Sequence, residues 1–566
     1  MVSIPRQGQY GFPVHLPQSS YTQERVMPTK GYTDLPDIPA GPQSIVSGQN
    51  IWIWQERLTP RPRLQQLGTN ALSDVPTGAF TYYDVTGDGF PMIFSKGTAT
   101  YFDPAAGWTT LSYNSNLSSG VNHPPSGGQN DRIFGTATYL PRADTNIAVW
   151  VNGVDPAFCW GGPINTGIAG SEGTGYSTLT QAYIAHDVTI ANSRLVYWNV
   201  GYTSTSSQLV TRVAWTAAGN PEDTTGIDAG YQDLLDMRGV GTRCFTVADQ
   251  LVVATDQEIW RGTFVGPPYV YQFTPLSRTQ GVPFPRAAIN TPEGLFFLGD
   301  DDMVYNIPPF YWYSKIDPVG IAVQRTLHNQ MADATTAFFG YHADAKQLTL
   351  YYTDTTGVYP NRGLTYNTLS KVWTPQKFAQ NLVVGFTGDQ TSANTMGTSS
   401  ATTWGALVGP LSGNILTYNQ LLGFSGGGTG GIQGLEEACI SSAGTAYTFQ
   451  HGSVQSTDDG VQVMAEATLG PMFVALPDRR KFFDEVRVDV QADNSSILSI
   501  AISGDLGQTF PVETALQLSQ GSTSSQYRVK STGISGINHT IRIRSQDGTW
   551  NIPAITGKAK IEGEAI

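Results

Sequence analysis

The sequence predicts an all-β protein: a β-propeller followed by a C-terminal antiparallel β-sandwich. Three observations carry that prediction. Gly 62 and Pro 34 among 566 residues, with aromatics at 11%, favour many short strands joined by tight turns. Several hairpins share one rhythm, an apolar strand, a polar turn and an aromatic-ended strand: LVVATDQEIW (251–260), GLFFLGDDDMVYNI (294–307) and QLTLYYTDTTGVYPNRGLTYN (347–367). Amphipathic runs of helical period are nearly absent, whereas the C-terminal stretch alternates cleanly through Val486, Val488 and Val490, then Leu498, Ile500 and Ile502.

The elements follow in order. Residues 1–43, rich in Pro, Gly, Gln and Tyr, read as an extended arm with little core of its own. From 44 to 425 the strand signal recurs, as divergent hairpins at irregular spacing suit propeller blades. Strands are expected at Ile51–Trp54, Met92–Phe94, 147–151, Arg194–Trp198, 251–254, Gly294–Leu298, 347–352 and 404–408. Asn192-Ser193, Asp249-Gln250 and Asp344-Ala345-Lys346 punctuate them. Short helices are expected near 228–237 and 319–333. The glycine run at 426–434 marks a break, 426–475 a linker with returning strands, and 476–566 the sandwich, a docking domain with a turn-rich loop at 516–526.

Charge narrows the function classes. Charged residues make up 14% of the chain, against roughly 25% in average proteins, and the net charge is −13. An acidic chain is poorly suited to gripping phosphates, although an acidic lumen would let DNA slide. Cys159, Cys244 and Cys439 are far apart and lack ligand spacing, so buried free thiols are expected rather than disulfides or zinc. Neither a secretory leader nor a membrane span is expected, and the chain reads as folded in a reducing cytosol.

The chemical motifs are sparse. SGDLGQTF (503–510) has the form of an Asp box, in which Asp505 would bond turn amides, Gly507 would take positive φ and Phe510 would pack under the hairpin. DVTGDG (84–89) starts like a calcium loop on Asp84 and Asp88, but its twelfth position is Ser95 rather than Glu. Asp300, Asp301 and Asp302 read as a solvated hairpin tip. His15, His123, His186, His328, His342, His451 and His539 are dispersed, and no phosphate loop or nucleophile elbow exists. Arginines are scattered, with no set marked for a substrate carboxylate. Trp52, Trp54, Trp150, Trp160, Trp198, Trp215, Trp260, Trp312, Trp373 and Trp404 read as core or blade-edge packing, with a sugar platform as the sharper alternative. No catalytic, cofactor or metal residue is assigned.

One ordered series of motifs adds a resemblance. RLTPRP (57–62) is followed by RVAWTAAGNPEDTT with Ala229-Gly230. Next come LVVATDQEIW, the strand at 271–273, GLFFLGDDDMVYNI and PNRGLTYNTLSKVWTP, then FFDEVRVDV with LSIAISGDLGQTF. In this order the chain resembles the tail hub or nozzle proteins of short-tailed bacteriophages, also called head–tail or tail stabilisation proteins, although the Pro-Gly pair usual in the first motif is missing. The resemblance implies a structural virion protein of the phage tail, assembled in the host cytoplasm, and not an enzyme. It implies a homo-hexameric ring below the portal and adaptor rings that extends and closes the DNA-ejection channel. It also implies contacts with tail fibres or spikes, and genomic DNA passing without sequence-specific binding. The matched residues hold packing positions and turns. The competing expectation is a carbohydrate-binding or glycan-degrading propeller, with tryptophans and carboxylates converging on one pocket.

Overall fold

The computed structural model describes residues 21–34, 42–69, 72–103, 106–114, 125–163, 173–179, 183–201, 209–309, 316–343, 345–390, 434–450, 457–472, 480–492, 496–519, 521–546 and 550–561. The chain forms two compact units, Pro62–Val463 and a second made from Met1–Arg61 with Met464–Ile566.

Pro62–Val463 is a β-propeller. Besides a short pair, Thr457–Asp458 with Val461–Gln462, its described strands make seven antiparallel groups of four: 78–113, 134–178, 184–233, 241–277, 288–318, 331–377, and a last group within 382–450 completed by Arg63–Gln66. We number these blades one to seven. The first two share an eight-stranded sheet, because Ser112 and Tyr113 pair in parallel with Gly175 and Tyr176. Each first strand adjoins the next, from Gly78–Tyr83 through Phe134–Leu140, Ile184–Ala191, Gly241–Val247, Ala288–Thr291 and Met331–His342 to Leu382–Gln390. The last of these adjoins the first again, which closes the ring. Blade seven is sealed by the unit's first strand, with Tyr447 opposite Gln66 and Phe449 opposite Leu64.

The sequence explains the blades locally. Strands covered by neighbouring blades on both faces need not alternate, and RLVYWNVG (194–201) is buried at every position. Blade three packs on blade four through Trp198, Val213 and Trp215 against Cys244, Leu251, Val253 and Tyr271, and Trp198 Nε1 donates to the Ala254 carbonyl at 2.9 Å. Asn192 and Ser193 both take positive φ, 49° and 60°, as a two-residue hairpin turn demands.

Several expectations change. The segment 228–237 is not helical: Gly230–Asp233 is the outer strand of blade three, paired with Arg212–Trp215. Strand pairing overrides the weak helical period there, reinforced by Arg212 Nε on Asp233 Oδ1 at 2.6 Å. Within 319–333 only Gln324–Gln330 is helical, and a strand starts at Met331. The loop expected at 516–526 is short, since Val512–Gln517 is followed by a strand from Gly521. The expected strand at 404–408, the glycine break at 426–433, and Trp312 and Trp404 lie outside the described residues. So do His15, His123 and His451.

The second unit contains two six-stranded sheets. One orders Ile51–Trp54, Arg57–Pro60, Trp550–Ile561, Lys481–Ala492 and Gly521–Gly536, with Tyr21–Val26 also paired to Trp550–Ile561. The other orders Gly31–Tyr32, Ser44–Gln49, Ala465–Leu469, Thr540–Ser545, Ile497–Ser503 and Val512–Gln517. The expected division at 43/44 and 475/476 therefore differs from the division into units at 61/62 and 463/464. The described part of the expected arm is sheet, not a coreless extension: Tyr21–Val26 runs against Lys560–Ile555, and Val26 is buried. Its hydrogen-bonding partner lies more than five hundred residues away, so no local signal marks it. In the same unit the Phe483 ring packs tilted against His539, with centroids 4.6 Å apart.

All three cysteines are buried, and none is in a disulfide. Trp52, Trp150, Trp160, Trp198, Trp215, Trp260 and Trp373 are buried in the core, as the packing reading expects. No helix among the described residues is long and apolar enough to cross a membrane.

Candidate functional site

The seven first strands surround a cavity of about 410 Å³ on the propeller axis. Each supplies lining: Thr77–Thr81, Ile133–Thr136, Asp187–Ile190, Arg243–Thr246, Ala288–Asn290, Phe338–Phe339 and Val384–Phe386. The size lies within the range of small-ligand pockets, roughly 300–1,000 Å³. Gly135 keeps blades one and two close, since a Cβ there would fall 2.1 Å from the Phe80 ring.

Charges meet in this cavity that are far apart in sequence. Asp187, on the first strand of blade three, accepts from Arg243 Nε at 2.7 Å and from the Cys244 amide at 2.7 Å, and its other oxygen accepts from the Val188 amide at 2.8 Å. Arg243 lies between the rings of Phe134 and Phe245, at 4.0 and 4.6 Å from their centroids. Its Nη1 donates to the Pro285 carbonyl at 2.7 Å. One side chain thus spans blades two to five. Asp187 is the single carboxylate among the described lining residues.

Arg286 precedes blade five, is half-buried, and reaches across to blade one, where Nη2 donates to the Thr77 carbonyl at 3.0 Å. Burial, and then the neighbouring Arg132 charge, push its guanidinium down to about 9. At neutral pH it therefore stays cationic. Arg132, just before blade two, donates from Nη2 to the Thr335 carbonyl at 3.1 Å. Burial pushes the Cys244 thiol well above its ordinary value, with Asp187 adding to the effect, which favours the neutral thiol.

The sequence motifs map elsewhere. Asp505 accepts from the Thr509 amide at 2.9 Å and the Thr509 hydroxyl at 2.6 Å, and Ser503 Oγ accepts from the Gly507 amide at 2.8 Å. Gly507 has φ 84°, and Arg542 covers the Phe510 ring at 4.0 Å. The Asp box is thus a hydrogen-bonded turn. In DVTGDG, Asp84 Oδ1 accepts from the amides of Thr86 and Asp88 at 2.8 and 2.9 Å, and Thr86 Oγ1 donates to Asp88 Oδ2 at 3.0 Å. Both carboxylates face inward to their own turn. At the aspartate tip, Asp301 accepts from Tyr305 Oη at 2.6 Å and Asp302 lies 2.8 Å from His328 Nδ1, so two of the three are partnered rather than merely solvated. No cluster of three or more His, Cys, Asp or Glu suited to a metal occurs among the described residues.

Sequence reasoning missed Arg132, Asp187, Arg243 and Arg286. The available signal was a charge inside, or just ahead of, an apolar first strand, as in HDVTI (186–190) and TRCFTV (242–247). Equivalence of register among blades, which turns such charges into neighbours, is not visible in divergent repeats.

No protein-family model and no curated protein matches the chain. Among solved structures it is similar to a virginiamycin B lyase from Staphylococcus aureus, at 10% identity and TM-score 0.37, covering 68% of this chain and 98% of that one. It is similar to YCF48 bound to a D1 peptide at 8% identity and TM-score 0.36, covering 69% and 96%. A weaker likeness, at 13% identity and TM-score 0.14, is to the enzymatically active domain of tailspike protein 4 of bacteriophage CBA120, covering 22% and 16%.

Proposed function

We propose that the chain is a structural component of a phage tail, a hub or nozzle subunit acting as a homo-hexameric ring on the DNA-ejection path. The observation that carries this reading is the state of the cavity carboxylate. Asp187 is occupied by one guanidinium and two amides, and no second carboxylate lines the cavity among the described residues. Glycoside hydrolysis ordinarily needs two carboxyl groups, roughly 5–9.5 Å apart across the scissile bond. The rival glycan-degrading propeller also expects tryptophans at its pocket, and the cavity is lined by phenylalanines instead. The ordered motifs from RLTPRP to LSIAISGDLGQTF support the hub reading independently.

In this reading the DNA path lies between subunits. A duplex whose major groove alone is about 12 Å wide has no room in a 410 Å³ cavity. The walls of a six-subunit ring would bound the DNA, and the chain's net charge of −13 suits walls that do not hold phosphates. The two-sheet unit, read as a sandwich, serves as the docking module for the adaptor ring or for fibres.

Mass photometry and electron microscopy of the purified chain with its adaptor test this. A six-fold ring is expected. A monomer under both conditions, or reducing-sugar release from a glycan panel, overturns it.

A further inference from the structure

The guanidinium of Arg286 is the least satisfied charge in the propeller cavity. It carries five N–H donors, and one is engaged, by the Thr77 carbonyl at 3.0 Å. No carboxylate among the described residues lies within ion-pair distance of it, whereas Arg243, the other guanidinium of the lining, has Asp187 at 2.7 Å. Arg132 is near enough to act on it as a like charge. Partly buried charge without a counter-ion is unfavourable, and a guanidinium with free, forked donors suits a planar oxyanion.

Counting charge selects the anion. The lining holds two guanidiniums, Arg243 and Arg286, and one carboxylate, Asp187, which leaves one positive charge, and the Arg132 charge just outside the lining is offset by that of Asp333. A monoanion neutralises it, whereas a dianion leaves a net negative charge in a confined site. The rest of the lining is mostly apolar, with Phe134, Phe339, Ile190 and Val384 among it, and includes the hydroxyl-bearing residues Thr189 and Thr246. Such a wall accommodates a ligand with both an apolar face and hydroxyl groups.

We propose that the propeller cavity is a binding site for a monoanionic carboxylate, held by Arg286 and supported by the Arg243–Asp187 pair. The inference does not depend on the hexameric hub reading, because the cavity lies within a single chain.

Titration calorimetry on the full-length protein would test it with acetate, benzoate and glucuronate. Glucose serves as the uncharged match to glucuronate, and inorganic phosphate as the more highly charged anion. At least one carboxylate is expected to bind saturably, with no binding of glucose and weaker binding of phosphate. Arg286→Gln is expected to weaken the carboxylate at least about tenfold, and Arg286→Lys less. If the variants fail to fold, phenylglyoxal labelling of the wild-type chain decides. The binding carboxylate should then protect the peptide containing Arg286, and glucose should not. The proposal is overturned if no carboxylate binds or protects, if Arg286→Gln binds unchanged, or if phosphate binds more tightly.

Discussion

The propeller and the two-sheet unit are both built of antiparallel strands, but they are wired differently. Blades two to six of the propeller each pair strands in sequence order, and among the described strands only blade seven borrows a distant one, Arg63–Gln66. In the other unit, long-range pairing is the rule: Tyr21–Val26 lies on Trp550–Ile561, and Ser44–Gln49 on Ala465–Leu469. Closing such distant pairs costs chain entropy before any contact compensates it. One unit therefore rests on many local decisions and one clasp, the other on the meeting of two chain ends.

The sharpest way to break this comparison is truncation. Residues 62–463 are expected to fold alone and to unfold in one cooperative thermal transition by circular dichroism. Residues 67–463 lack the strand that seals blade seven, and are expected to lose that transition, with near-ultraviolet signal absent at 25 °C. If both fragments unfold alike, the strand is not the clasp.

Next in size is a single blade contact. Trp198 is fully buried between blades three and four and donates to Ala254. Trp198→Ala is expected to cost about 3–5 kcal/mol by the usual cavity penalty, read from urea unfolding of the 62–463 fragment. A change below about 1 kcal/mol would mean the blades are not coupled through this side chain.

Titration separates the units with opposite signs. In the propeller, Glu437 is buried and accepts from Tyr351 Oη at 2.5 Å, and burial pushes its carboxyl up to about 8 while that hydrogen bond lowers it. The folded state therefore binds a proton that the unfolded state has released above about 4.5. Its stabilising effect is complete below that value and is lost as pH rises through about 8. In the other unit, His539 is buried, and burial, followed by the Lys481 charge, lowers its imidazole to about 4. Its effect is complete above about 6.5 and is lost as pH falls through about 4. Glu437→Gln is expected to flatten the alkaline loss of stability, and His539→Phe, with a smaller effect, the acid loss. Urea midpoints between pH 4 and 9 check both, and an unchanged slope in either variant removes that residue from the account.

The same wiring explains what the sequence made legible. LVVATDQEIW, GLFFLGDDDMVYNI and QLTLYYTDTTGVYPNRGLTYN became adjacent strands of blades four, five and six, because each carries its own turn. The sheet role of Tyr21–Val26 was illegible, since its partner stands at the other end of the chain. The cavity arginines were illegible for a related reason: Arg243 and Arg286, with Arg132 just outside the lining, come from different blades or the segments leading into them. The Asp box turn was legible because the side-chain hydrogen bonds that hold it fall within 503–509.

That locality yields the smallest effect. Asp505 holds its turn through Thr509, and hydrogen bonds from Ser503 and Thr509 lower its carboxyl to about 2. Asp505→Ala removes the acceptor of the Thr509 amide but touches no strand pairing of Ile497–Ser503 with Thr540–Ser545. Hydrogen exchange is expected to quicken at Thr509 and its immediate neighbours, while amides in those two strands keep their protection. The unfolding midpoint should move less than in either titration variant. If protection is instead lost across both strands, the turn helps to assemble this long-range sheet, and the contrast between a locally wired propeller and a remotely wired partner unit would fail at its most local element.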